Sequence, residues 1–238
     1  MRLWSQANFG EDLFFVHRNG ALYYWDAGSG VTTRGVLVSS LGGAAQVPTV
    51  ANIAFVSDVF RFAFCFGVNA VGSSTLDPML LRWSDQEDIA DWNPTAANQA
   101  GSLSLSEGTE IIQSIQARQE ILVWTDSAMY GLQYLGAPVV WGATLLGSNT
   151  TIASPNAAIY SNNIAYWMGT SKFYYYDGTV KTLPCSVRSY VFDDFNSEQA
   201  EQIICGSNEE FDEIWWFYCS SGVTRNDRYV VYNYVENI

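Results

Sequence analysis

Side chains that could bind a cation are densest in a short acidic segment from Ser84 to Pro94. Four carboxylates fall within seven residues there, at Asp85, Glu87, Asp88 and Asp91. Converging carboxylates could hold calcium, because this hard cation prefers oxygen ligands. The segment lacks the glycine of a tight calcium loop, and its spacing matches no calcium template. We therefore interpret it as a surface turn capped by Asp side chains, with Trp92 packed on a sheet, and keep calcium binding as the alternative.

Paired carboxylates would also permit glycoside hydrolysis. The candidates for such a pair are Asp85, Asp88, Asp193, Asp194, Glu209 and Glu210. A sialidase-like site would further need several arginines to hold the substrate carboxylate, and the arginines of this chain are scattered. Ser84-Asp85 followed by Trp92 is loosely similar to the Asp-box turn of sialidases, but lacks its glycine and its spacing. We predict no catalytic residue and expect that the protein is not an enzyme.

Histidine and cysteine, the other residues of common catalytic and metal sites, are sparse. His17 is the single histidine and ends an apolar run, so we interpret it as structural or exposed and exclude a catalytic triad. The four cysteines contain no Cys-x-x-Cys pair, which argues against structural zinc. Cys65 and Cys219 are predicted to be buried and reduced, and a Cys185–Cys205 disulfide is kept as an alternative. No metal and no cofactor are predicted.

Aromatic tracts could stack on sugar rings and form a carbohydrate-binding module. They are Tyr23-Tyr24-Trp25, Tyr174-Tyr175-Tyr176 and Trp215-Trp216. Consecutive residues of a strand point to opposite faces of its sheet. At least half of each tract must therefore face sheet packing, and we favour this use in the core over sugar binding.

The charge balance argues against a protein that grips nucleic acid. The formal net charge is −13, from 24 acidic and 11 basic side chains, whereas binding through phosphates requires Lys and Arg. Hydrophobic residues make up 48% of the chain, which indicates a folded protein. Residues 1–15 have no signal-peptide pattern, and Asp58 and Arg61 interrupt the most apolar window, Val47–Gly67. We expect synthesis in a cytoplasm and no membrane insertion.

The elements that position these side chains repeat a two-part phrase, clearest from Gln119 to Gly136. Two aromatic-rich apolar runs, Ile121–Trp124 and Met129–Leu135, flank a polar turn at residues 125–127, which predicts a β-hairpin. The phrase recurs in four other places with changed residues. Aligned on one aromatic residue of each copy, the steps are 58, 51, 42 and 58 residues, between Trp25, Trp83, Tyr134, Tyr176 and Tyr234.

A repeat of about 40–50 residues that contains several strands has the spacing of propeller blades. We predict an all-β fold, a β-propeller of about five antiparallel blades in a single domain over residues 1–238. The predicted blades are 8–41, 50–106, 110–146, 155–184 and 200–238. An antiparallel sandwich with aromatic strands is the alternative. The fifth blade stops without an outer strand, so we expect this chain to be a fragment of a longer protein.

Three local features add detail to this prediction. Arg18-Asn19-Gly20 predicts a type I′ turn. A short helix near 186–196, capped by Ser186, is predicted from apolar residues at helical spacing. These residues are Val187, Tyr190, Val191 and Phe195. The loop Gly67–Asp77, followed by Pro78 and a new strand, and the acidic segment are expected to make contacts, since loops on rigid strands usually do.

Several long phrases, in order, resemble those of the virion structural proteins of tailed phages. They are DPMLLRWSDQEDIADWNPTAANQAG, RQEILVWTDSAMYGLQYLGAP, SPNAAIYSNNIAYWMGTSKFYYYDG, TLPCSVRSYVFDDFN and NDRYVVYNYVEN. More narrowly, the chain is similar from Asn8 to Ile238 to the propeller of the tail nozzle, the tail tubular protein B type, of short-tailed phages.

The resemblance implies a non-enzymatic ring protein of the virion tail, a hexameric homo-oligomer, through whose lumen the genome leaves. It implies portal, adaptor and tail fibre proteins as partners, and DNA that passes without specific binding. Carboxylates that line a channel repel phosphates, so the net charge of −13 suits this role. A carbohydrate-binding module and a sialidase-like glycosidase are the alternative functions.

Overall fold

The computed structural model describes residues 3–238 and is built mainly of β-strands. The strands form five antiparallel sheets, four of them with four strands and one with three. In each sheet, neighbouring strands follow one another in the chain, the arrangement that short connections between antiparallel strands produce. The prediction of an all-β fold made of antiparallel sheets is confirmed.

The chain forms two compact units, which we call the first and the second unit. The first unit holds the residues up to Ile111 together with Gln133–Ala143, and the second holds Ile112–Leu132 and Thr144–Ile238. The single domain over residues 1–238 and the blade boundaries given above stay predictions.

The first unit contains two complete sheets. The first sheet consists of β1 (Trp4–Phe9), β2 (Asp12–His17), β3 (Leu22–Trp25) and β4 (Val36–Leu37). The second sheet consists of β5 (Ala51–Ser57), β6 (Phe62–Asn69), β7 (Leu76–Trp83) and β8 (Gly101–Ser104). Short 3-10 helices cover Ala27–Ser29 and Val38–Ser40. The sequence of β6, FAFCFGVN, is buried along its whole length, because apolar residues occupy both of its faces.

The third sheet takes residues from both units. Its strands are β9 (Ile111–Gln116), β10 (Ile121–Thr125), β11 (Ala128–Gly136) and β12 (Val140–Ser148). The predicted hairpin is confirmed as β10 and β11, with Trp124 opposite Met129. Thr125 closes the turn, since its Oγ1 accepts a hydrogen bond from the Ala128 amide at 2.9 Å. A side-chain acceptor at this position satisfies a backbone amide inside the tight turn.

The second unit contains the fourth and fifth sheets. The fourth sheet consists of β13 (Ala158–Ser161), β14 (Ile164–Met168), β15 (Phe173–Tyr176) and β16 (Val180–Thr182). The fifth sheet consists of β17 (Ile204–Asn208), β18 (Glu213–Tyr218) and β19 (Arg228–Asn233). Between these sheets lie α1 (Arg188–Asp194) and a 3-10 segment (Ser197–Gln202). Among residues 3–238, no helix has the length and apolarity needed to cross a membrane.

Each unit has its own core, in which aromatic rings contact each other across strands. In the first unit, the ring of Trp141 lies 5.0 Å from that of Phe64 at an angle of 81°. In the second unit, Trp167 lies 5.4 Å from Trp124 and 5.2 Å from Tyr174. Edge-on and offset stacked rings at these distances stabilise a core beyond the area that they bury. Much of the aromatic content of the sequence is therefore used in packing.

The turn that follows β2 differs from the predicted type I′ turn. Asn19 has the expected positive φ, 60°, but Gly20 is not among the residues with positive φ. Gly20 exchanges two backbone hydrogen bonds with Ala51, at 3.3 and 2.9 Å. This distant pairing holds Gly20 outside the left-handed region that a type I′ turn requires at both central residues.

Gly20 provides a test of this local geometry. A Cβ atom at Gly20 would lie 2.6 Å from Nδ1 of His17 and closer still to other ring atoms. We expect Gly20→Ala to lower the free energy of unfolding by about 1–3 kcal/mol, the usual range for overpacking, as measured by denaturant titration. Gly42→Ala is the matched control, because a Cβ there meets nothing within 4 Å. Equal stability of the two variants would contradict this geometry.

The predicted helix is present, but its buried face and its cap are not the predicted ones. Val187, not Ser186, is the N-cap residue, and no side chain caps the helix. Val191 is buried as predicted, whereas Tyr190 is 62% exposed. The physical reason is the contact between Phe192 and Phe173, whose rings lie 5.1 Å apart. This contact rotates the helix so that Tyr190 faces solvent.

The loop of the second sheet is shorter than predicted. β6 continues to Asn69 and β7 begins at Leu76, so Pro78 lies inside a strand and does not precede it. The register of the two strands shifts between Phe66 and Val68, and the intervening Gly67 has a φ of 57°. A β-bulge of this kind tolerates a proline, which cannot donate to the ladder.

Candidate functional site

The acidic segment is a turn whose carboxylates accept local hydrogen bonds. Asp85 Oδ1 accepts from the amide of Gln99 at 2.7 Å, and Asp88 Oδ1 accepts from the amide of Ala90 at 2.8 Å. Asp91 accepts from the amide of Asn93 at 3.0 Å and from the side-chain amide of Asn98 at 2.8 Å. Trp92 is 1% exposed. The interpretation as an Asp-capped turn over a buried tryptophan is confirmed.

The geometry of this turn does not favour the calcium alternative. In the part of the chain that the structure describes, no three His, Cys, Asp or Glu side chains are grouped so as to hold a metal ion. Glu87, at the tip of the turn, lies 3.8 Å from Arg61 Nε instead. An exposed pair at this distance contributes little to stability, so Glu87 remains available for an outside contact.

Beneath the acidic turn lies a buried arginine, Arg82, which is 1% exposed. Its Nη2 donates to the carbonyl oxygens of Gln46 at 2.6 Å and Trp92 at 2.9 Å. Its Nη1 donates to the carbonyl oxygen of Asn69 at 3.2 Å. The rigid guanidinium fork therefore ties together the approach to β5, the end of β6 and the acidic turn. Burial lowers the pKa of Arg82, and the neighbouring Cys65 opposes that shift.

Arg82 has no carboxylate partner within residues 3–238, and its Nε makes no hydrogen bond there. Its cross-strand neighbour is Cys65, a thiol whose pKa is raised by burial. A buried thiol of this kind is inert, because the reactive species is the thiolate. In the sequence, Arg82 is one of several scattered arginines, and no role is predicted for it. The available signal was a charged residue in the apolar run LLRW.

All four cysteines are free thiols. Cys65 and Cys219 are buried, as predicted, whereas Cys185 and Cys205 are partly buried. The alternative of a Cys185–Cys205 disulfide is therefore wrong for this structure.

The carboxylates considered for glycoside hydrolysis are distributed over different elements. Asp85 and Asp88 lie in the acidic turn of the first unit, where both accept backbone hydrogen bonds. Asp194, on α1 in the second unit, lies 3.7 Å from Arg228 Nη2, and Asp193 precedes it. Glu209 and Glu210 are exposed in the turn between β17 and β18.

A polar recess lies in the second unit, and no motif of the sequence predicts it. It has a volume of about 370 Å³ and is formed by the turns that precede β10, β14 and β16. Tyr176 donates from its hydroxyl to Glu120 Oε1 at 3.0 Å, and the Arg118 amide donates to the Tyr160 hydroxyl at 3.3 Å. Glu120 also occupies the space above Gly131, where a Cβ atom would collide with its carboxylate. A carboxylate, a guanidinium and two phenols could hold a small polar ligand here.

Alkaline titration tests the bond inside this recess. Burial, assisted by the bond to Glu120, raises the pKa of Tyr176 from 10.0 to about 12. The neutral phenol therefore stabilises the fold fully below pH 10, and this contribution is lost as the pH rises towards 12. We expect Glu120→Gln to lower the pKa of Tyr176, and Tyr176→Phe to remove one late step from the tyrosinate absorbance titration. An unchanged late step in Tyr176→Phe would contradict this assignment.

The fifth sheet carries an aromatic platform, by which we mean the rings of Trp215, Phe217 and Tyr229. Trp215 is stacked on Tyr229 at 5.0 Å and 28°, and on Phe217 at 5.9 Å and 22°. Glu213 Oε2 accepts from the Trp215 indole at 2.9 Å and fixes its orientation. Tyr229 is 60% exposed, whereas Trp216, which follows Trp215 in β18, is 1% exposed. In the tract Trp215-Trp216, Trp216 therefore faces the core, as predicted, and Trp215 lies on the opposite, partly exposed face.

The aromatic tracts of the sequence contain Trp215 but not Phe217 or Tyr229, the two other members of the platform. Phe217 lies two residues further along the same strand, and therefore on the same face. Tyr229 lies opposite Phe217 on β19. The available signal was the two-residue spacing of Trp215 and Phe217.

Comparison with known proteins gives a fold and no family. No family model and no curated protein matches the chain. Over its full length, the chain is similar to the extracellular domain of BT4673 from B. thetaiotaomicron, described as a one component system, with a TM-score of 0.57 and 12% identity. The match covers 27% of that chain. The AfRom2 CNH domain has a TM-score of 0.51 and 10% identity, over 97% of this chain and 67% of the other.

At these identities, the likeness to solved structures concerns the fold alone. Together with the five antiparallel sheets and the short helix, it defines an all-β, β-propeller-like class. The chain spans much less than half of the first of these proteins. What either protein binds does not transfer to this chain.

Proposed function

We propose that the chain is a structural, non-enzymatic component of the tail of a short-tailed phage, in the nozzle ring through which DNA leaves the virion. The observation that carries the proposal is the order of the phrases that resemble this family. These phrases form β7 with the acidic turn, the β10–β11 hairpin, the fourth sheet, α1 and β19. The quoted phrases therefore lie in elements of every sheet except the first, and the resemblance as a whole begins at Asn8.

The electrostatics of the chain support this role. The net charge of −13 repels the phosphates of passing DNA, so that the genome is not retained by non-specific binding. In this proposal, the chain forms a hexameric homo-oligomer in the virion tail, with portal, adaptor and tail fibre proteins as partners. It needs no cofactor, metal or catalytic residue.

The acidic turn is a proposed contact of this ring with a tail fibre or an adaptor. Asp85 and Asp88 cap the turn and would perturb it if replaced, whereas Gln86 and Glu87 are exposed. We expect Glu87→Ala to retain the thermal stability of the wild type, since Glu87 makes only an exposed pair with Arg61, and to lose fibre or adaptor attachment in assembled particles. The matched control is Ala96→Ser, in the exposed segment that follows. Unchanged attachment in the test variant would exclude this turn as the contact.

Co-sedimentation tests the proposal as a whole. A tail component is expected to travel with intact tails when particles from infected cells are separated on a density gradient. The chain should remain with the tails after a high-salt wash, because high salt removes adsorbed proteins but not a subunit of an assembled ring. A chain found only among free proteins would overturn the proposal. Genes for a portal and an adaptor beside its own would add independent support.

The aromatic platform favours one second candidate, a carbohydrate-binding module. Exposed aromatic rings present an apolar face on which the apolar face of a sugar ring can pack. This function predicts saturable glycan binding that is lost in Tyr229→Ala and kept in Tyr190→Ala, a control that removes an equally exposed tyrosine from α1. The tail proposal predicts no saturable glycan binding by the isolated chain. A glycan array followed by calorimetry separates the two candidates.

A further inference from the structure

Three tight turns and two tyrosines form the polar recess of the second unit. The turn before β10 is closed by the Ala117 amide, which donates to the Glu120 carbonyl oxygen at 2.9 Å. In the turn before β14, Asn162 and Asn163 have φ values of 50° and 62°, as the central residues of a type I′ turn require. These turns are held by bonds of their own chain, so the recess is formed before a ligand arrives.

The two phenols of the recess belong to one cross-strand row. Tyr160 on β13 lies opposite Ala165 on β14, and Ala165 lies opposite Tyr176 on β15. Directly opposed residues share a face of the sheet, so the two tyrosines stand on either side of Ala165, about 10 Å apart at the backbone. Burial raises the pKa of Tyr176 most, and the nearby Glu120, Asp177 and Tyr160 raise it further. The ionisable groups of the recess therefore lie close to one another.

Several polar groups of the recess have unused hydrogen-bonding capacity. Glu120 Oε1 accepts from the Tyr176 hydroxyl at 3.0 Å, whereas Oε2 accepts from no group among residues 3–238. The Tyr160 hydroxyl accepts from the Arg118 amide at 3.3 Å, and its own proton has no acceptor in the part of the chain that the structure describes. Arg118 is exposed, and its guanidinium pairs with no described carboxylate. The recess therefore offers an anionic acceptor, a cationic donor and a hydroxyl donor.

The charges of the recess select the class of ligand. Asp177 is already neutralised, since its Oδ2 accepts from Lys181 Nζ at 2.7 Å. Glu120 and Arg118 are the charges that remain, and no ion pair joins them in the described chain. A ligand with a single charge would leave one of them without a countercharge, and a neutral sugar would leave both. A ligand that carries an ammonium and a carboxylate satisfies both through charge-assisted hydrogen bonds.

We propose that the polar recess binds a small zwitterion, a free amino acid, whose ammonium donates to Glu120 Oε2 and whose carboxylate accepts from Arg118 and the Tyr160 hydroxyl. The Tyr176 hydroxyl holds the Glu120 carboxylate in place for the ammonium. A recess of about 370 Å³ has room for a molecule of this size. This inference rests on residues of the second unit alone and is independent of the proposed tail function.

Calorimetric titration of the purified chain with each of the common free amino acids tests the proposal. We expect saturable binding of at least one of them, with a dissociation constant below about 1 mM. Arg118→Gln and Glu120→Gln should each weaken that binding by about tenfold or more, because a charge-assisted hydrogen bond is lost. Arg34→Gln and Glu210→Gln are the matched controls and should leave it unchanged, since both side chains are exposed and neither lines the recess.

Modified ligands assign the two contacts separately. The carboxamide of the bound amino acid lacks the carboxylate and should bind the wild type about tenfold more weakly. Arg118→Gln should bind the amino acid and its carboxamide equally, because the partner of the carboxylate is already missing. The N-acetyl derivative lacks the ammonium and tests Glu120→Gln in the same way. A merely structural role of either residue would not remove this discrimination between ligands.

Thermal melting establishes that each variant is folded. Should Glu120→Gln unfold, Arg118→Gln keeps the test, because the Arg118 side chain is exposed. No saturable binding of any amino acid up to about 10 mM would overturn the proposal, as would binding that ignores both Arg118→Gln and Glu120→Gln. Saturable binding of glucose that is lost in Glu120→Gln, without binding of an amino acid, would assign the recess to a neutral sugar and would also overturn it.

Discussion

Replacing Arg82 with methionine is expected to lower the free energy of unfolding by about 3 kcal/mol or more. The side chain is 1% exposed and donates to three backbone carbonyl oxygens, those of Gln46, Asn69 and Trp92. Methionine fills much of the same volume but leaves these acceptors without their donor, and each buried unsatisfied group costs about 1–3 kcal/mol. Removal of a buried charge offsets part of this loss. Urea titration of the purified variant measures the difference.

Two further variants make the result interpretable. Arg34→Met removes an exposed arginine of the same unit and is expected to change stability by less than about 0.5 kcal/mol. Arg82→Lys keeps the charge but not the planar fork, so it should fall between the wild type and Arg82→Met. If Arg82→Met were as stable as Arg34→Met, the hydrogen bonds from Arg82 to the three backbone segments would not stabilise the fold, and this interpretation would be refuted.

Trp216→Ala is expected to have an effect of similar size in the second unit. The Trp216 side chain is 1% exposed, its indole donates to the Ala157 carbonyl oxygen at 3.0 Å, and its ring lies 4.9 Å from that of Phe173. Truncation of a buried tryptophan costs about 3–5 kcal/mol through lost burial and the remaining cavity. The Ala157 carbonyl oxygen keeps its hydrogen bond from the Met168 amide at 3.0 Å, so the expected loss comes mainly from burial and the cavity.

The adjacent tryptophan supplies a matched control on the same strand. Trp215 points to the opposite face and is only partly buried, so Trp215→Ala should cost clearly less stability, about 1–2 kcal/mol. The comparison is made by thermal and chemical unfolding of both variants. A larger loss in Trp215→Ala than in Trp216→Ala would mean that the faces of β18 are assigned the wrong way round.

Elements with strong local patterns could be predicted from the sequence. The β10–β11 hairpin follows from two apolar runs around a polar turn, and its register agrees with that reading. The acidic turn could be assigned correctly because Asp side chains bond to backbone amides close in sequence. Trp92, in the same turn, was predicted to pack on a sheet, and it is buried.

Features set by distant partners could not be predicted in this way. The conformation of Gly20 depends on Ala51, and the rotation of α1 depends on the contact between Phe192 and Phe173. In both places a tertiary contact overrides a sound local pattern, as it often does for short elements.

The candidate sites were harder to foresee than the fold. Arg82 binds carbonyl oxygens, which every residue possesses, so no sequence motif reports its partners. The recess joins Glu120, in the turn before β10, to Tyr176 on β15, and the platform joins Trp215 on β18 to Tyr229 on β19. Such groups become visible only when the pairing of strands is known.

Electron cryo-microscopy of purified virions whose genome encodes this chain tests the central claim most directly. The account predicts density for its five antiparallel sheets in the tail, repeated around the channel below the portal, with DNA or an open lumen inside the ring. Complete tails whose density is fully explained by other chains would contradict the account.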